Sequence, residues 1–412
     1  MKSAPLHVKR KKPASKEIRV ALPPGKSLWA RVLMLYAIHG KTLPKPPAGA
    51  GDDVYALYNS LEDIRSGKTE IDVVESGTAM RFLTAYLAAV TRSAVMLKGR
   101  GRQYQRPIGP LVDTLRGMGA KITYAGSEGY PPLLIEPSTL RGGEVDIDAG
   151  HSSQFVSALL LISPLFEEGL KVNYAQKTMQ PSEPYIRMTE ELLQKSFEKE
   201  LPDTPEIERD WTAASALYAL CALSHIKVKI PGLQAHSLQG DANVLVELYE
   251  KLGVKTLFDE EGVTLRYSGK PRTPYIEADF EQTPDIVPNV VVTCLGLKIP
   301  FCFTGVARLR LKESDRIVAL QHNASQAGFR IGVSTDMLSY DGTATCNKTD
   351  IPVIDPMGDH RIAMAFGLLA FKLPDGIVIR DSEVVSKSWP GFWHALEPAW
   401  QLEHYIKKEK VS

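Results

Sequence analysis

Lys312-Glu313-Ser314-Asp315-Arg316 packs charges of both signs into one short stretch, and Asp359-His360-Arg361 repeats the pattern further along. Each precedes an apolar run of helical character. Opposite charges gathered where an apolar run begins are most simply explained by a small, highly charged ligand. Three more clusters share this form: Lys26-Ser27 with Arg31, Gly77-Thr78-Ala79-Met80-Arg81, and Ser152-Ser153-Gln154. A helix N-terminus offers free N–H groups and the positive end of the helix dipole, so it draws anions. Together the clusters point to an anion-binding enzyme whose site is built from helix starts spread along the chain.

Pro23-Pro24-Gly25-Lys26-Ser27 follows a strand over 18–22 and opens an apolar helix over 29–38. A phosphate-binding P-loop would need Gly where Val20 stands, so that reading fails. What survives is a helix start carrying the charge of Lys26 and the hydroxyl of Ser27, with Arg31 within reach of the same ligand. Gly77 permits close backbone approach, Thr78 can cap, and Arg81 follows. Ser152-Ser153-Gln154-Phe155 is a third capped start. Arg106 in Arg106-Pro107-Ile108-Gly109 precedes a helix that Pro is suited to open. Taken singly, each has an ordinary reading as a cap, a solvated cation or a salt bridge. Collectively, Lys26, Arg31, Arg81, Arg106, Lys312, Arg316, Arg361 and Lys387 would repel one another strongly if they converged without a ligand. They suit a pair of reactants bearing two phosphates and two carboxylates, which guanidinium groups grip in bidentate fashion. In such a field Glu313, and Asp285 in Thr283-Pro284-Asp285-Ile286, are candidates for proton transfer.

At 412 residues the chain is expected to form two or more domains. Its 24% charged and 44% hydrophobic residues and net charge of +1 give no global reason to expect nucleic acid, membrane or an acidic partner. The four cysteines, Cys221, Cys294, Cys302 and Cys346, form no CxxC pair and have no His at zinc-ligand spacing. Buried thiols in a reducing cytoplasm are expected, and no metal site. The apolar runs at 82–90, 156–166 and 362–371 fall short of the ~20 residues a membrane span needs. Lys9-Arg10-Lys11-Lys12 is a basic run with no apolar stretch behind it, hence no signal peptide. It reads as a solvated face rather than a nucleic-acid arm.

Three segments repeat one plan: helix, Gly, strand, turn, strand. They are 111–135, 244–267 and 316–340, each with Gly closing the helix and a hairpin after it. Between them lie apolar helices at 81–90, 155–165, 213–223 and 361–371. Alternating helices and strands imply an α/β fold made of one module used several times. The charged, Pro-containing stretch 195–209 reads as a connector. With a second crossing after 18–22, residues 23–209 form an inserted domain, and 1–22 join 210–412 in a discontinuous one.

The motifs Lys26-Ser27-x-x-x-Arg31, Gly77-Thr78-Ala79-Met80-Arg81, Arg106-Pro107-Ile108-Gly109, Ser152-Ser153-Gln154-Phe155, Ser182-Glu183-Pro184-Tyr185, Lys312–Arg316, Asp359-His360-Arg361 and Lys387, in this order, resemble those of the 5-enolpyruvylshikimate-3-phosphate synthase (3-phosphoshikimate 1-carboxyvinyltransferase) family. The resemblance runs from about Ile18 to Pro390. It implies two similar domains, each of three βαβαββ units in an inside-out α/β barrel, with the active site in the interdomain cleft. It implies transfer of the enolpyruvyl group of phosphoenolpyruvate to the 5-hydroxyl of shikimate 3-phosphate, with release of phosphate through a tetrahedral intermediate. By position, Lys26, Gly77, Arg106, Gln154, Arg316, Arg361 and Lys387 resemble phosphoenolpyruvate contacts. Lys26, Ser27, Arg31, Ser152, Ser153, Gln154, Ser182, Tyr185, Asp285 and Lys312 resemble shikimate 3-phosphate contacts. Asp285 would take the hydroxyl proton. Glu313, with Lys26, would handle the methylene proton, supported by His360. No cofactor is implied, and a cytoplasmic monomer is expected.

Departures from the family pattern are Glu75 where Asn is usual, Trp29-Ala30 in the first motif, a short connector at 195–209, and Arg308 where some relatives use Asn. The nearest alternative is the UDP-N-acetylglucosamine enolpyruvyl transferase family. It typically carries Cys before its Arg-Pro motif, and 98–105 holds none. An anion-binding protein without turnover is the alternative of another class; intact Lys26, Asp285, Glu313 and Lys387 argue against it.

Overall fold

In a computed structural model the chain divides into two compact units: a discontinuous one, Met1–Pro23 with Glu208–Ser412, and an inserted one, Pro24–Ile207. The structure describes residues 4–12, 15–147, 152–174, 183–343 and 350–405. Ser182 and Cys346 lie outside them. Two strands, β1 (Leu6–Arg10) and β2 (Glu17–Arg19), open the discontinuous unit. The inserted unit runs α1 (Lys26–Ile38), α2 (Asp52–Arg65), β3 (Glu70–Asp72), α3 (Gly77–Val90), β4 (Val95–Lys98), α4 (Gly109–Gly117), β5 (Lys121–Tyr124), β6 (Leu133–Glu136), β7 (Gly143–Ile147), α5 (Ser153–Ile162), β8 (Leu170–Tyr174) and α6 (Glu183–Glu198). The first unit then resumes with α7 (Trp211–Ser224), β9 (Lys227–Pro231), α8 (Asp241–Lys251), β10 (Val254–Asp259), β11 (Gly262–Tyr267), β12 (Ile276–Asp279), α9 (Val287–Leu297), β13 (Phe301–Thr304), α10 (Arg316–Gln326), β14 (Gly332–Val333), β15 (Met337–Tyr340), β16 (Val353–Ile354), α11 (His360–Leu369), β17 (Ile377–Ile379), α12 (Phe392–Ala395) and β18 (Trp400–His404).

All four larger sheets share one pairing plan. The orders β3-β4-β6-β5, β12-β13-β15-β14, β2-β9-β11-β10 and β16-β17-β1-β18 each begin with a parallel pair and continue antiparallel. The N-terminal strands complete two of them: β2 lies beside β9, and β1 sits between β17 and β18, with Leu6 opposite Ile379 and His404. The repeated hairpin plan is present in α4-β5-β6, α8-β10-β11 and α10-β14-β15. Gly253, at φ +90°, turns the chain out of α8, where a Cβ would meet the Lys270 carbonyl at 2.7 Å. Among its described residues the inserted unit has one four-stranded sheet and the parallel pair β7-β8.

Helices lie inside these layers. α7 is buried at every position from Trp211 to Leu223 and packs on α9 and α11, themselves almost wholly buried. α1, α3 and α5 play the same part in the inserted unit. A helix apolar all round is stable only when surrounded, so each unit has its own core around three central helices. One expectation fails. Residues 195–198 belong to helix α6, not a connector, because Ile186, Met188, Thr189 and Leu193 bury one face while the charged residues line the other. Cys221 and Cys294 are buried free thiols, and burial pushes Cys221 up to about 12. Among the described residues no helix is long and apolar enough to cross a membrane.

Candidate active site

Helices α1, α3, α5, α10 and α11 start at residues within the motifs that sequence reasoning singled out. In the inserted unit, Lys26 is the first residue of α1, and its Nζ bridges to Asp53 Oδ2 in the first turn of α2 at 2.8 Å. Ser76 caps α3 by accepting from Ala79 N, and its hydroxyl donates to the Asp53 carbonyl at 3.3 Å. Ser152 caps α5 by accepting from Gln154 N. Gln154 Nε2 donates to Thr78 Oγ1 at 3.0 Å, tying the start of α5 to that of α3. The starts of α1, α2, α3 and α5 are therefore joined in one chain of contacts.

Gly77 is the hinge of this arrangement. A Cβ built there would lie 2.3 Å from Arg106 Nη1 and 2.8 Å from Arg81 Nη1. Two guanidiniums thus flank one backbone position. Arg81 Nη1 donates to the Gly77 carbonyl at 2.8 Å, and its guanidinium lies over the Phe155 ring. Arg106 is 9% exposed, and its buried Nε has no hydrogen-bond partner among the described residues. Cations at a helix N-terminus oppose its dipole, and the first turns of α1, α3 and α5 contain no acid. A bound anion would relieve both conflicts. The expectation that a Pro-opened helix directly follows Arg106 fails: Arg106 closes a 3-10 turn (Gly101–Gln105), and α4 begins only at Gly109, with Pro110 in its first turn.

Arg31 is more deeply placed than expected. It is 2% exposed and donates to Thr189 Oγ1, the Ser27 carbonyl, Ser157 Oγ and the Tyr185 carbonyl, with Phe82 and Tyr185 rings over it. Burial without an acidic partner pulls it down to about 10. It fixes Ser27 and Tyr185 from behind. Glu75, the unusual acid, is exposed, with its carboxylate against Gly101.

The discontinuous unit gathers a second cluster. Arg316, the first residue of α10, is buried among three carboxylates: Nε to Asp359 Oδ2 at 2.7 Å, Nη1 to Asp285 Oδ1 at 2.8 Å, and Nη2 to Glu313 Oε2 at 2.7 Å. Its donors face protein, so here it organises the acids. Asp285, in a 3-10 turn ahead of α9, also meets Lys312 Nζ at 3.2 Å and Arg361 Nη2 at 3.4 Å. Burial raises the Asp285 carboxyl, but Lys312, Arg361 and Arg316 outweigh it and hold the group well below the usual range. Burial lowers Lys312, and Asp285 restores part of that loss. Asp359 is both cap and ligand: it accepts from Arg361 N and from Ser314 Oγ as well as from Arg316. His360 is fully buried, its Nδ1 3.7 Å from Asp359 Oδ1. Lys387, 9% exposed, ends a 3-10 turn packed on α11. Arg308 pairs with Glu281 at 3.0 Å.

Sequence reasoning missed two acids. Asp53, in the first turn of α2, belongs to no motif and is marked out by its bridge to Lys26. Asp241, 2% exposed at the start of α8, accepts from the Thr212 hydroxyl at the start of α7. Burial pushes it up to about 7, with Asp285 pushing the same way and Arg361 opposing. The folded protein therefore binds a proton there that the unfolded chain, with an ordinary value near ~4, has released. That contribution is complete below about pH 4 and is lost as pH rises to about 7. Asp241→Asn should lose less stability across this window than the wild type, read by urea unfolding at pH 4 and pH 8. Parallel pH profiles for the two proteins would contradict it.

Comparison with known proteins shows the family to which the chain is similar. The family model for EPSP synthase (3-phosphoshikimate 1-carboxyvinyltransferase) matches residues 51–396. The chain is 37% identical over 406 residues to a 3-phosphoshikimate 1-carboxyvinyltransferase of Bacteroides fragilis, covering 94% of this chain and 96% of that one. It is 34% identical over 351 residues to one of Methanospirillum hungatei, covering 81% and 79%. A solved EPSP synthase of Acinetobacter baumannii superposes with a TM-score of 0.70 at 19% identity, covering 97% of this chain and 100% of that one, a likeness of fold.

Proposed function

This chain belongs to the EPSP synthase (3-phosphoshikimate 1-carboxyvinyltransferase) family, and we propose that its two polar clusters act on one pair of reactants. The enzyme transfers the enolpyruvyl group of phosphoenolpyruvate to the 5-hydroxyl of shikimate 3-phosphate and releases phosphate, a step of the shikimate pathway to the aromatic amino acids. The observation that carries the division of labour is Asp285, an ionised carboxylate held among Lys312, Arg316 and Arg361.

Shikimate 3-phosphate is held by Lys26, Ser27, Ser152, Ser153, Gln154, Ser182, Tyr185, Asp285 and Lys312, with Arg31 backing Ser27 and Tyr185 from within the unit. Phosphoenolpyruvate is held by Lys26, Gly77, Arg106, Gln154, Arg361 and Lys387, while Arg316, its donors engaged by three carboxylates, holds Asp285 and Glu313 beside it. With the substrate anions bound, the cations divide their field between substrate and Asp285, so the carboxylate gains proton affinity when it is needed. Asp285 then takes the 5-hydroxyl proton as that oxygen attacks C2 of the enolpyruvyl group. Glu313, which takes up a proton as the substrate anions bind, delivers it with Lys26 to the methylene carbon, which gives the tetrahedral intermediate. Elimination reverses the second transfer: the new methyl returns a proton to Glu313, the C2–O bond to phosphate breaks, and phosphate leaves with the proton that Asp285 had taken. His360, buried beside Asp359, keeps the Glu313–Arg316–Asp359 group in place. The fixed cations stabilise charge as it develops, without reorganisation. The protein works as a cytoplasmic monomer; the free buried thiols suit a reducing compartment.

A phosphate-release assay tests the reading. Turnover is expected with phosphoenolpyruvate and shikimate 3-phosphate together. Turnover only with UDP-N-acetylglucosamine as acceptor, or binding without phosphate release, would sink it. Gly77→Ala should push Arg106 and Arg81 apart, since their side-chain ends can yield. The expected result is a raised KM for phosphoenolpyruvate with an unchanged melting temperature; an unaltered KM would remove Gly77 from the site.

A further inference from the structure

The basic run at 9–12 plays no part in the chemistry above, yet it ends at a cavity. Arg10 and Lys11, where β1 ends, line a space of about 200 Å³ together with Lys16, ahead of β2, and His225, which closes α7. Its apolar lining is Ile226 and Phe371, each 5% exposed. Lys372, half-buried, adjoins it through Phe371. No acid lines the space. Among the described residues, Arg10, Lys11, Lys16 and Lys372 make no side-chain hydrogen bond or ion pair. The charges are felt: burial lowers His225, and Lys372 and Arg10 lower it further, while burial and then Arg10 lower Lys372.

The C-terminus of α7 ends here and explains part of this gathering. A helix C-terminus presents roughly half a negative charge, which favours one nearby cation and cannot offset four. The ring of His225 is not free to swing away, because it lies flat on Tyr267 at 4.1 Å and 4°. The space is lined by cations and by buried apolar side chains, and it shares no residue with either polar cluster of the site. α7 begins at Trp211, next to Thr212 and its partner Asp241, and runs 14 residues to this end, a length of ~21 Å at 1.5 Å per residue.

We propose that this cavity is a second binding site, separate from the reactants' site, for a small organic anion: a carboxylate or phosphate on an apolar body about the size of one ring. The anionic group meets Arg10, Lys16 and Lys372, and the ring rests on Ile226 and Phe371. The volume excludes a nucleotide-sized ligand, since sites for drug-sized molecules start at ~300 Å³.

Calorimetric titration of the full chain with benzoate, phenyl phosphate and inorganic phosphate, at saturating shikimate 3-phosphate, tests this. Benzoate or phenyl phosphate should bind saturably, and at least tenfold more weakly to the double variant Arg10→Ala/Lys16→Ala. Lys372→Gln, on another element, should weaken binding likewise, so misfolding of one variant does not decide the matter. In each variant kcat/KM for the reactants should stay unchanged. Equal binding to wild type and variants, absence of saturable binding, or inorganic phosphate binding as tightly as phenyl phosphate would overturn the proposal.

Discussion

Asp285→Asn should keep its fold and lose most of its rate, with kcat lower by ~10²–10⁴-fold, the usual contribution of a positioned proton-transfer group. The amide retains an oxygen for Arg316 Nη1, now at 2.8 Å from Asp285 Oδ1, so packing changes little. What disappears is the carboxylate proposed to accept the hydroxyl proton, which pairs with Lys312, Arg316 and Arg361. Glu313→Gln, with its oxygen still able to accept from Arg316 Nη2, should show a loss in the same range. The check is single-turnover phosphate release alongside thermal unfolding. A rate near wild type in either variant would strip that residue of its role; a collapsed melting temperature would mean that the acid serves mainly to hold the fold.

Arg316→Met has the opposite signature. The guanidinium is buried and holds Asp285, Glu313 and Asp359 together. Removing one member of a buried ionic group strands the others, at a cost of ~3–5 kcal/mol. Stability should fall by that order at neutral pH, and turnover should vanish because both proton-transfer groups lose their anchor. The pH dependence follows from Asp285, whose carboxyl is held well below its ordinary value. A depressed carboxyl contributes stability above its unfolded value, near ~4, and that contribution is lost as pH falls through the folded value. The gap between wild type and variant should therefore be widest above pH ~4 and narrow below it. Urea unfolding at pH 3 and pH 7 measures this. A constant gap would mean that Arg316 acts through packing alone.

The helix starts were legible because caps and apolar runs are local signals. Ser152 and Asp359 cap the helices that the sequence placed after them, whereas α3 is capped by Ser76 and not by Thr78, which lies in its first turn. The charged groups at 312–316 and 359–361 stood out because charge seldom opens an apolar helix without a reason. What stayed hidden depends on contacts between distant segments. Asp53 gains its meaning from Lys26, and Asp241 from Thr212, and neither spacing is a motif. Arg31 and Arg316 were legible as cations but not as buried ones, because burial is decided by Thr189, Ser157 and the three acids around them. Helix α6 was partly mistaken for a connector, since its exposed face is charged and its buried face is narrow.

One measurement bears most directly on the claim that both clusters serve one pair of reactants: kcat/KM for phosphoenolpyruvate in Arg106→Gln and Arg361→Gln, one from each unit. A charged hydrogen bond contributes ~1.5–3 kcal/mol, and each ~1.4 kcal/mol is tenfold. Both variants should therefore fall by roughly 10- to 100-fold while remaining folded. Wild-type kcat/KM in either one would mean that its cluster does not touch phosphoenolpyruvate, and the shared site would be contradicted.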